Sequence, residues 1–129
     1  MELDDIVSVS GLSGLYKLIA QKSDGVVIQS LETKETKFAS SRLHKLSTLK
    51  GIGIYLENDD QIELFDVFKE MMKQEVMNPP VDVKSNTEEK VRSYFKTIIT
   101  LYDPEKVHFS DIRKVILWYQ VLKAQNLII

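Results

Sequence analysis

Two different spacings of apolar residues divide this chain, and they constrain its fold more than any single motif does. Up to about residue 63 apolar and polar residues alternate, as in Val7-Ser8-Val9-Ser10, which is the period of a strand with one buried face. Beyond that point apolar residues recur every three or four positions, the period of an amphipathic helix. The pattern predicts an α+β protein: a small SH3-like five-stranded barrel or a curled antiparallel sheet, followed by about three helices.

Turn-forming residues separate the predicted strands. Asp24-Gly25 predicts a tight hairpin, because this step tolerates the positive φ that such turns require. Residues 40–48 carry leucines three positions apart, which predicts a helical or 3₁₀ turn across one end of the sheet. Alternation is first seen at 7–9, and the strands that follow are predicted at 15–20, 26–31, 36–39, 51–56 and 61–62.

Three amphipathic segments predict the helices. The first covers 64–77 and is stopped by Asn78-Pro79-Pro80, since proline lacks an amide proton and disfavours helix in the residue before it. The second follows the capping residues at 85–89 and ends at Asp103-Pro104, and the third begins at Ser110, whose hydroxyl is expected to cap it. The domain prediction is a β-rich subdomain at 1–77 with a packing helix at 64–77, a linker at 78–86, and a helical pair at 87–129.

Composition excludes several classes of function. The chain has no cysteine, which excludes disulfides, thiolate nucleophiles and cysteine-based metal sites. Its net charge of −2 gives no global attraction to nucleic acid or anionic lipid. Residues 1–5 are acidic where a signal peptide is basic, and no apolar run reaches the length of a membrane span. We therefore expect a cytoplasmic protein with no membrane partner.

No arrangement of reactive residues indicates catalysis. A phosphate-binding glycine loop, a nucleophile elbow and a zinc-protease helix motif are all absent from the sequence. His44 and His108 are far apart; we interpret the first as a surface residue and the second as a packing or capping residue. The carboxylates at 57–63 are interpreted as a solvated hairpin turn. The sequence predicts no enzyme, no cofactor, no metal and no small-molecule ligand.

Partner binding is the leading hypothesis. Trp118 and Tyr119 are residue types enriched in interface hot spots, and Met71, Met72 and Met77 give a helix adaptable apolar surface. The alternative for each residue is that it packs the helices onto the sheet. On the first interpretation the protein is a non-enzymatic binding or adaptor module that contacts an unidentified protein, or a second copy of itself, through its helical half.

Weak nucleic-acid binding is the second hypothesis. Residues 17–50 contain seven Lys/Arg and three Asp/Glu, a local charge of +4. Cations on a small barrel, together with aromatic residues, can combine phosphate contacts with base stacking. The candidate binding residues are Lys17, Lys34, Lys37, Arg42, Lys45 and Lys50.

Short motifs at both ends of the chain suggest a family. They are Asp5-Ile6-Val7-Ser8-Val9-Ser10-Gly11, then Gly14-Leu15-Tyr16-Lys17, and Ser110-Asp111-Ile112-Arg113-Lys114 within Val107 to Tyr119. With these motifs the chain resembles a group of small uncharacterised Bacteroidota proteins that are catalogued as domains of unknown function. The resemblance implies a bacterial cytoplasmic protein with a β-rich N-terminal part and a helical C-terminal part. It transfers no catalytic or binding residue.

Overall fold

A computed structural model describes residues 5–128 of the chain and confirms the α+β class. The helices are α1 (Leu64–Gln74), α2 (Glu88–Ile98) and α3 (Phe109–Ala124). The strands are β1 (Ile6–Val9), β2 (Tyr16–Lys22), β3 (Gly25–Ser30), β4 (Thr36–Ser40), β5 (Leu46–Thr48), β6 (Gly53–Tyr55) and β7 (Gln61–Glu63).

Internal contacts group the chain into two compact units. Residues up to Ile52, together with those from Val121 on, form the sheet unit, and residues 53–120 form the helical unit. The predicted boundary at 78–86 lies elsewhere, inside the helical unit. That segment contains neither helix nor strand, yet Val83 within it is buried. The division into subdomains at 1–77 and 87–129 stays a prediction.

The sheet unit contains an open antiparallel sheet in the order β4-β3-β2-β1-β5. Its β2–β3 hairpin pairs Lys22 with Gly25, so a hairpin forms where the sequence predicts one. The two turn residues are Ser23 and Asp24, and neither Asp24 nor Gly25 adopts the positive φ on which the prediction was based. The sheet is not closed, because β4 and β5 lie at its opposite ends, so the predicted SH3-like barrel is not observed. The reason is that residues 53–63, most of which were predicted to complete the barrel, form the separate β6–β7 hairpin in the helical unit.

The prediction of a helical turn over residues 40–48 is wrong at its C-terminal end. Leu46–Thr48 is strand β5, which pairs with β1 through Val9 and Leu46. A 3₁₀ turn does occur, but it covers Leu49–Gly51. The three-residue leucine spacing is no helical face here: Leu43 is 78% exposed, whereas Leu49 is fully buried.

One face of the sheet carries the core of this unit. Val7, Val9, Tyr16, Ile28 and Ala39 form a buried cluster. Leu12, Leu18, Val26 and Leu46 pack against it. Alternation within the strands places these side chains on a common side, as the period of two requires. Burying each large apolar side chain stabilises the fold by about 1.5–3 kcal/mol before entropy is counted.

Helix α1 ends at Gln74, three residues earlier than predicted. The backbone N–H of Asn78 donates to the Gln74 carbonyl at 2.6 Å, which closes the chain in a turn. Pro79 follows, and it disfavours helical geometry at Asn78. As a result Val76 and Met77, expected on the helix, lie in the turn that follows it.

Local hydrogen bonds also set the ends of α2 and α3. The Thr87 hydroxyl accepts from the Lys90 N–H and caps α2, as its sequence indicates. Helix α2 stops at Ile98 because the next residues pair with β6: the Asp103 N–H donates to the Tyr55 carbonyl at 2.9 Å. Helix α3 starts at Phe109, so Ser110 lies within its first turn and is not the cap.

The carboxylate of Asp111 fulfils that role at the start of α3. Its Oδ2 accepts from the His108 backbone N–H at 3.2 Å. An acidic side chain is also favoured by the positive end of the helix dipole. His108 therefore contributes to helix initiation through its backbone.

Candidate protein-interaction surface

Three of the four residues predicted to bind a partner are buried. Trp118 is 9% exposed, and Tyr119 and Met71 are fully buried, whereas Met72 is half-buried. The Tyr119 ring lies 6.2 Å from that of Phe68. The structure thus buries three of these residues, and the part of all four in partner binding stays a prediction.

Two strongly exposed apolar side chains of the helical unit lie just after α1. Val76 is 92% exposed and Met77 is 90% exposed. Single exposed apolar residues are common on protein surfaces, whereas contiguous apolar patches mark interaction sites. We call them the apolar pair. The sequence indicates Met77 as adaptable apolar surface of the helix, but it places Val76 on the apolar stripe of that longer helix, so the pair as such was not predicted.

A hydrogen-bond network fixes the chain around the apolar pair. The Asn78 Nδ2 donates to Gln74 Oε1 at 3.0 Å and to Thr97 Oγ1 at 2.7 Å. The Gln74 Nε2 in turn donates to the Thr97 carbonyl at 3.1 Å. These bonds join the C-terminal end of α1 to that of α2, so the pair projects from an ordered turn.

An open groove of about 650 Å³ begins at Asn78, next to Met77, and follows α2. Its lining residues are Asn78, Val81, Asn86, Thr87, Glu89, Lys90, Ser93, Tyr94 and Thr97. Amides, hydroxyls, one cation and one carboxylate therefore lie beside a mainly apolar lining. Such a lining suits a ligand that presents both apolar and hydrogen-bonding groups.

The loop that forms one wall of the groove is held by Asp82. Its carboxylate accepts from the Lys84 backbone N–H and from the Ser85 hydroxyl, both at 2.9 Å. These hydrogen bonds, that to Lys84 foremost, lower the pKa of Asp82. The Asn86 side chain also donates to the Asp82 carbonyl at 2.8 Å. The predicted linker is thus an ordered turn.

Two buried tyrosines of the helical unit differ in their hydrogen bonding. The Tyr119 hydroxyl donates to Glu75 Oε1 at 3.1 Å. The Tyr94 hydroxyl is buried and has no hydrogen-bond partner among residues 5–128. Burial raises the pKa of Tyr94 to about 12, and it also raises the pKa of Tyr119, with a further contribution from Tyr94. An unpaired buried hydroxyl is costly, which marks Tyr94 as a destabilising element beside the groove.

The structure distributes the predicted nucleic-acid-binding residues over separate places. Lys17 and Lys34 line one pocket of about 280 Å³, and the Lys34 Nζ donates to Gln125 Oε1 at 2.7 Å. Lys37 lies on the opposite sheet face from Lys17, with its Nζ 5.7 Å from the centre of the Tyr16 ring. Arg42 and Lys45 belong to the β4–β5 connection, and Lys50 belongs to the 3₁₀ turn.

His44 and the acidic turn around Asp59 make contacts that stabilise the fold. His44 Nδ1 is 2.7 Å from the Ser10 carbonyl. Asp59 forms an ion pair with Lys106 at 2.7 Å, and this hydrogen bond lowers the pKa of Asp59. Within the described part of the chain no three His, Asp or Glu side chains are grouped to hold a metal ion. Likewise, no helix between residues 5 and 128 is long and apolar enough to cross a membrane.

Family models match both parts of the chain. Residues 52–122 match a family described as Domain of unknown function (DUF6852), and residues 3–49 match one described as Domain of unknown function (DUF5606). The first match covers more than half of the chain, so the chain belongs to the DUF6852 family. The break between the two matches coincides with the division between the sheet unit and the helical unit at residue 52.

A solved structure supports the same fold. A solution NMR structure of a structural-genomics target from Bacteroides vulgatus is similar to this chain, with a TM-score of 0.77 and 28% sequence identity. The similarity covers 99% of this chain and 90% of that one. No curated protein matches. These findings confirm the resemblance to uncharacterised Bacteroidota proteins with a β-rich N-terminal part and a helical C-terminal part.

Proposed function

We propose that this protein is a non-enzymatic binding or adaptor module of the bacterial cytoplasm, and that its helical half docks a protein partner. The observation that carries the proposal is the apolar pair Val76–Met77, which is almost fully exposed beside the groove along α2. Transferring such side chains from water into a partner's surface contributes about 1.5–3 kcal/mol each.

The order of the surrounding turn supports this role. Binding costs less entropy when the contacting residues are already held in place. Asn78 and Thr97 fix the residues that follow the pair, and Asp82 fixes the loop along the groove. The partner we propose places an apolar side chain against Val76 and Met77 and polar groups against the amide and hydroxyl lining.

Buried residues act indirectly in this proposal. Tyr119 donates to Glu75, one residue before the apolar pair. Met71 and Phe68 anchor α1 through its buried face. Residues that the sequence predicts to contact a partner thereby support a contact surface formed by neighbouring residues.

A comparison of three tagged proteins tests the proposal. The wild type, a Val76→Asp/Met77→Asp variant and a Leu43→Asp control are used to capture proteins from a native lysate of a bacterium that carries the chain. Leu43 is a matched control because it is an exposed apolar residue of the sheet unit. Circular dichroism verifies that all three are folded.

We expect a specific protein that is retained by the wild type and the control and at least about tenfold depleted with the double variant, a difference of about 1.4 kcal/mol. Equal retention by all three proteins would remove the apolar pair as the docking site. The absence of any retained protein would count against the adaptor role as a whole.

A further inference from the structure

The free edge of the sheet at β4 has a defined set of unpaired backbone groups. Two hydrogen bonds show which residue pairs of β3 and β4 are hydrogen-bonded. The Ser30 N–H donates to the Glu35 carbonyl at 2.9 Å, and the Ser41 N–H donates to the Asp24 carbonyl at 3.0 Å. In an antiparallel ladder hydrogen-bonded pairs alternate with pairs whose backbone groups point away. Applied to the register of β3 and β4, this alternation means that every second residue of β4 points its backbone N–H and carbonyl away from β3. We call these the outward residues.

The outward residues are Thr36, Phe38 and Ser40. The Ser40 carbonyl is already used, since it accepts from the Leu43 and His44 amides at 3.2 and 3.0 Å. Within residues 5–128 no backbone hydrogen bond engages the N–H or carbonyl of Thr36 or Phe38, and both residues are exposed. This edge is open to pairing with a further strand.

We propose that the strand which pairs with β4 is β4 of a second copy of this chain, in an antiparallel arrangement with Phe38 opposite Phe38. The two Phe38 residues then exchange a pair of backbone hydrogen bonds. On each side the Ser40 N–H donates to the Thr36 carbonyl of the other copy. Because outward residues face outward residues, the N–H and carbonyl of Phe38, the Ser40 N–H and the Thr36 carbonyl of each copy gain partners. The Thr36 N–H, which faces the occupied Ser40 carbonyl, lies at the end of this short ladder.

The side chains of β4 fit this register. Phe38, which is 49% exposed, meets its own copy in an aromatic cross-strand pair. Thr36 faces Ser40, a favourable hydroxyl pair, and Lys37 faces the small side chain of Ala39. A shift of the dimer axis to Lys37 would set two lysines opposite each other, which is destabilising. The charge on β4 therefore disfavours the register centred on Lys37, whereas the register centred on Phe38 adds the aromatic pair.

The position of Phe38 is prepared before association. Its ring lies across Gly25, where a Cβ atom would stand only 2.6 Å from the ring carbon Cζ. Holding the ring in place reduces the entropy lost on pairing. The opposite edge of the sheet is less suited, because β5 has three residues and passes directly into a 3₁₀ turn. Pairing along a five-residue edge buries less surface area than the interface of a permanent dimer, so the association is weak and reversible.

Disulfide trapping tests the register. Because the sequence has no cysteine, only the introduced thiol can form a disulfide. In the proposed dimer the two copies of residue 38 are about 5.5 Å apart at Cα, within the range of a disulfide. The two copies of residue 37 are diagonal neighbours at about 7–8 Å, outside that range. Under mild oxidation Phe38→Cys should form covalent dimer several-fold faster than the matched variant Lys37→Cys. Equal rates, or faster trapping of Lys37→Cys, would overturn the proposal.

Sedimentation of the wild type gives an independent result. Its average mass should rise towards that of a dimer between about 10 µM and about 1 mM, as expected for a small interface. Phe38→Lys should remain a monomer because it sets like charges opposite each other, whereas Lys37→Ala should associate as the wild type does. A wild type that stays monomeric over the whole range would refute the pairing, and this outcome is separate from the fate of the apolar pair.

Discussion

The sheet unit and the helical unit expose different kinds of unsatisfied surface. At β4 the free groups belong to the backbone, and their spacing is fixed by pairing with β3. Beyond α1 the free surface belongs to the side chains of Val76 and Met77. Backbone edges specify a register and accept many sequences, whereas exposed side chains specify shape and chemistry. The two surfaces therefore fit different occupants: another copy of the same strand, and a partner with a complementary pocket.

The largest expected effect separates buried from exposed aromatic residues in the two units. Phe68→Ala in the helical unit should lower the free energy of unfolding by about 3–5 kcal/mol, because the ring is fully buried and leaves a cavity. Phe38→Ala in the sheet unit should cost less than half as much, since that ring is half-exposed. Urea unfolding followed by circular dichroism measures both. A similar loss for the two variants would contradict the assignment of Phe38 to a surface edge.

The two buried tyrosines provide the next comparison. Tyr119→Phe removes a hydroxyl that donates to Glu75 and should destabilise the protein by about 1.5–3 kcal/mol. Tyr94→Phe removes a hydroxyl without a partner and should leave stability unchanged or raise it by about 1 kcal/mol. Thermal unfolding of the two variants checks this order. If Tyr94→Phe lost as much as Tyr119→Phe, the Tyr94 hydroxyl would have a partner after all.

Alkaline pH sharpens the same comparison. The folded-state pKa of Tyr94 is about 12, above its ordinary value near 10, so the unfolded chain loses this proton first. The free energy of unfolding is thus unaffected by this titration below pH 10 and falls as the pH rises from 10 to 12. The slope of this fall is up to about 1.4 kcal/mol per pH unit. Tyr94→Phe should flatten that slope in denaturant titrations. An unchanged slope would count against burial as the cause of the shift.

Smaller effects distinguish the caps of α2 and α3. Thr87→Ala should cost about 1 kcal/mol, because the Thr87 hydroxyl accepts from the Lys90 N–H. Ser110→Ala should change stability by less than about 0.5 kcal/mol, since Asp111 serves the start of α3. Equilibrium unfolding of the two single variants measures the difference. A larger loss for Ser110→Ala would restore the cap that the sequence indicates.

The smallest effect is expected from the basic residues of the sheet unit. Lys17 and Lys37 lie on opposite faces, so they give no single track for a phosphate backbone. Any nucleic-acid binding should be weak at low salt and lost at physiological salt. Fluorescence anisotropy with labelled RNA and DNA at the two salt concentrations measures it. Binding that survives physiological salt and disappears in Lys17→Ala/Lys34→Ala would revive the nucleic-acid hypothesis.

The sequence predicted best what depends on neighbouring residues. The β2–β3 hairpin, which turns at Ser23-Asp24, and the cap at Thr87 are local, and both are present. The closed barrel failed because strand pairing depends on distant partners: β5 joins β1, while the strands that follow form their own hairpin. The end of α2 was misplaced for the same reason, since its following residues pair with β6.

The candidate surface was harder to predict than the elements around it. Val76 belongs to an apolar stripe by spacing, and only the early end of α1 at Gln74 exposes it. Trp118 and Tyr119 have the composition of an interface, but composition does not distinguish an interface from a core. Because α1 ends three residues earlier than predicted, the candidate site lies in the turn that follows it and does not consist of the buried aromatic residues.

Gly25 imposes an evolutionary constraint on the sheet. A Cβ at this position would clash with the Ala39 carbonyl oxygen as well as the Phe38 ring, so any side chain would push β4 away from β3. Among relatives this glycine should therefore resist replacement even though it lies beside a turn, where substitution is usually tolerated. Lineages that do replace it should show compensating changes in β4, and such paired changes would trace how the outermost strand is held.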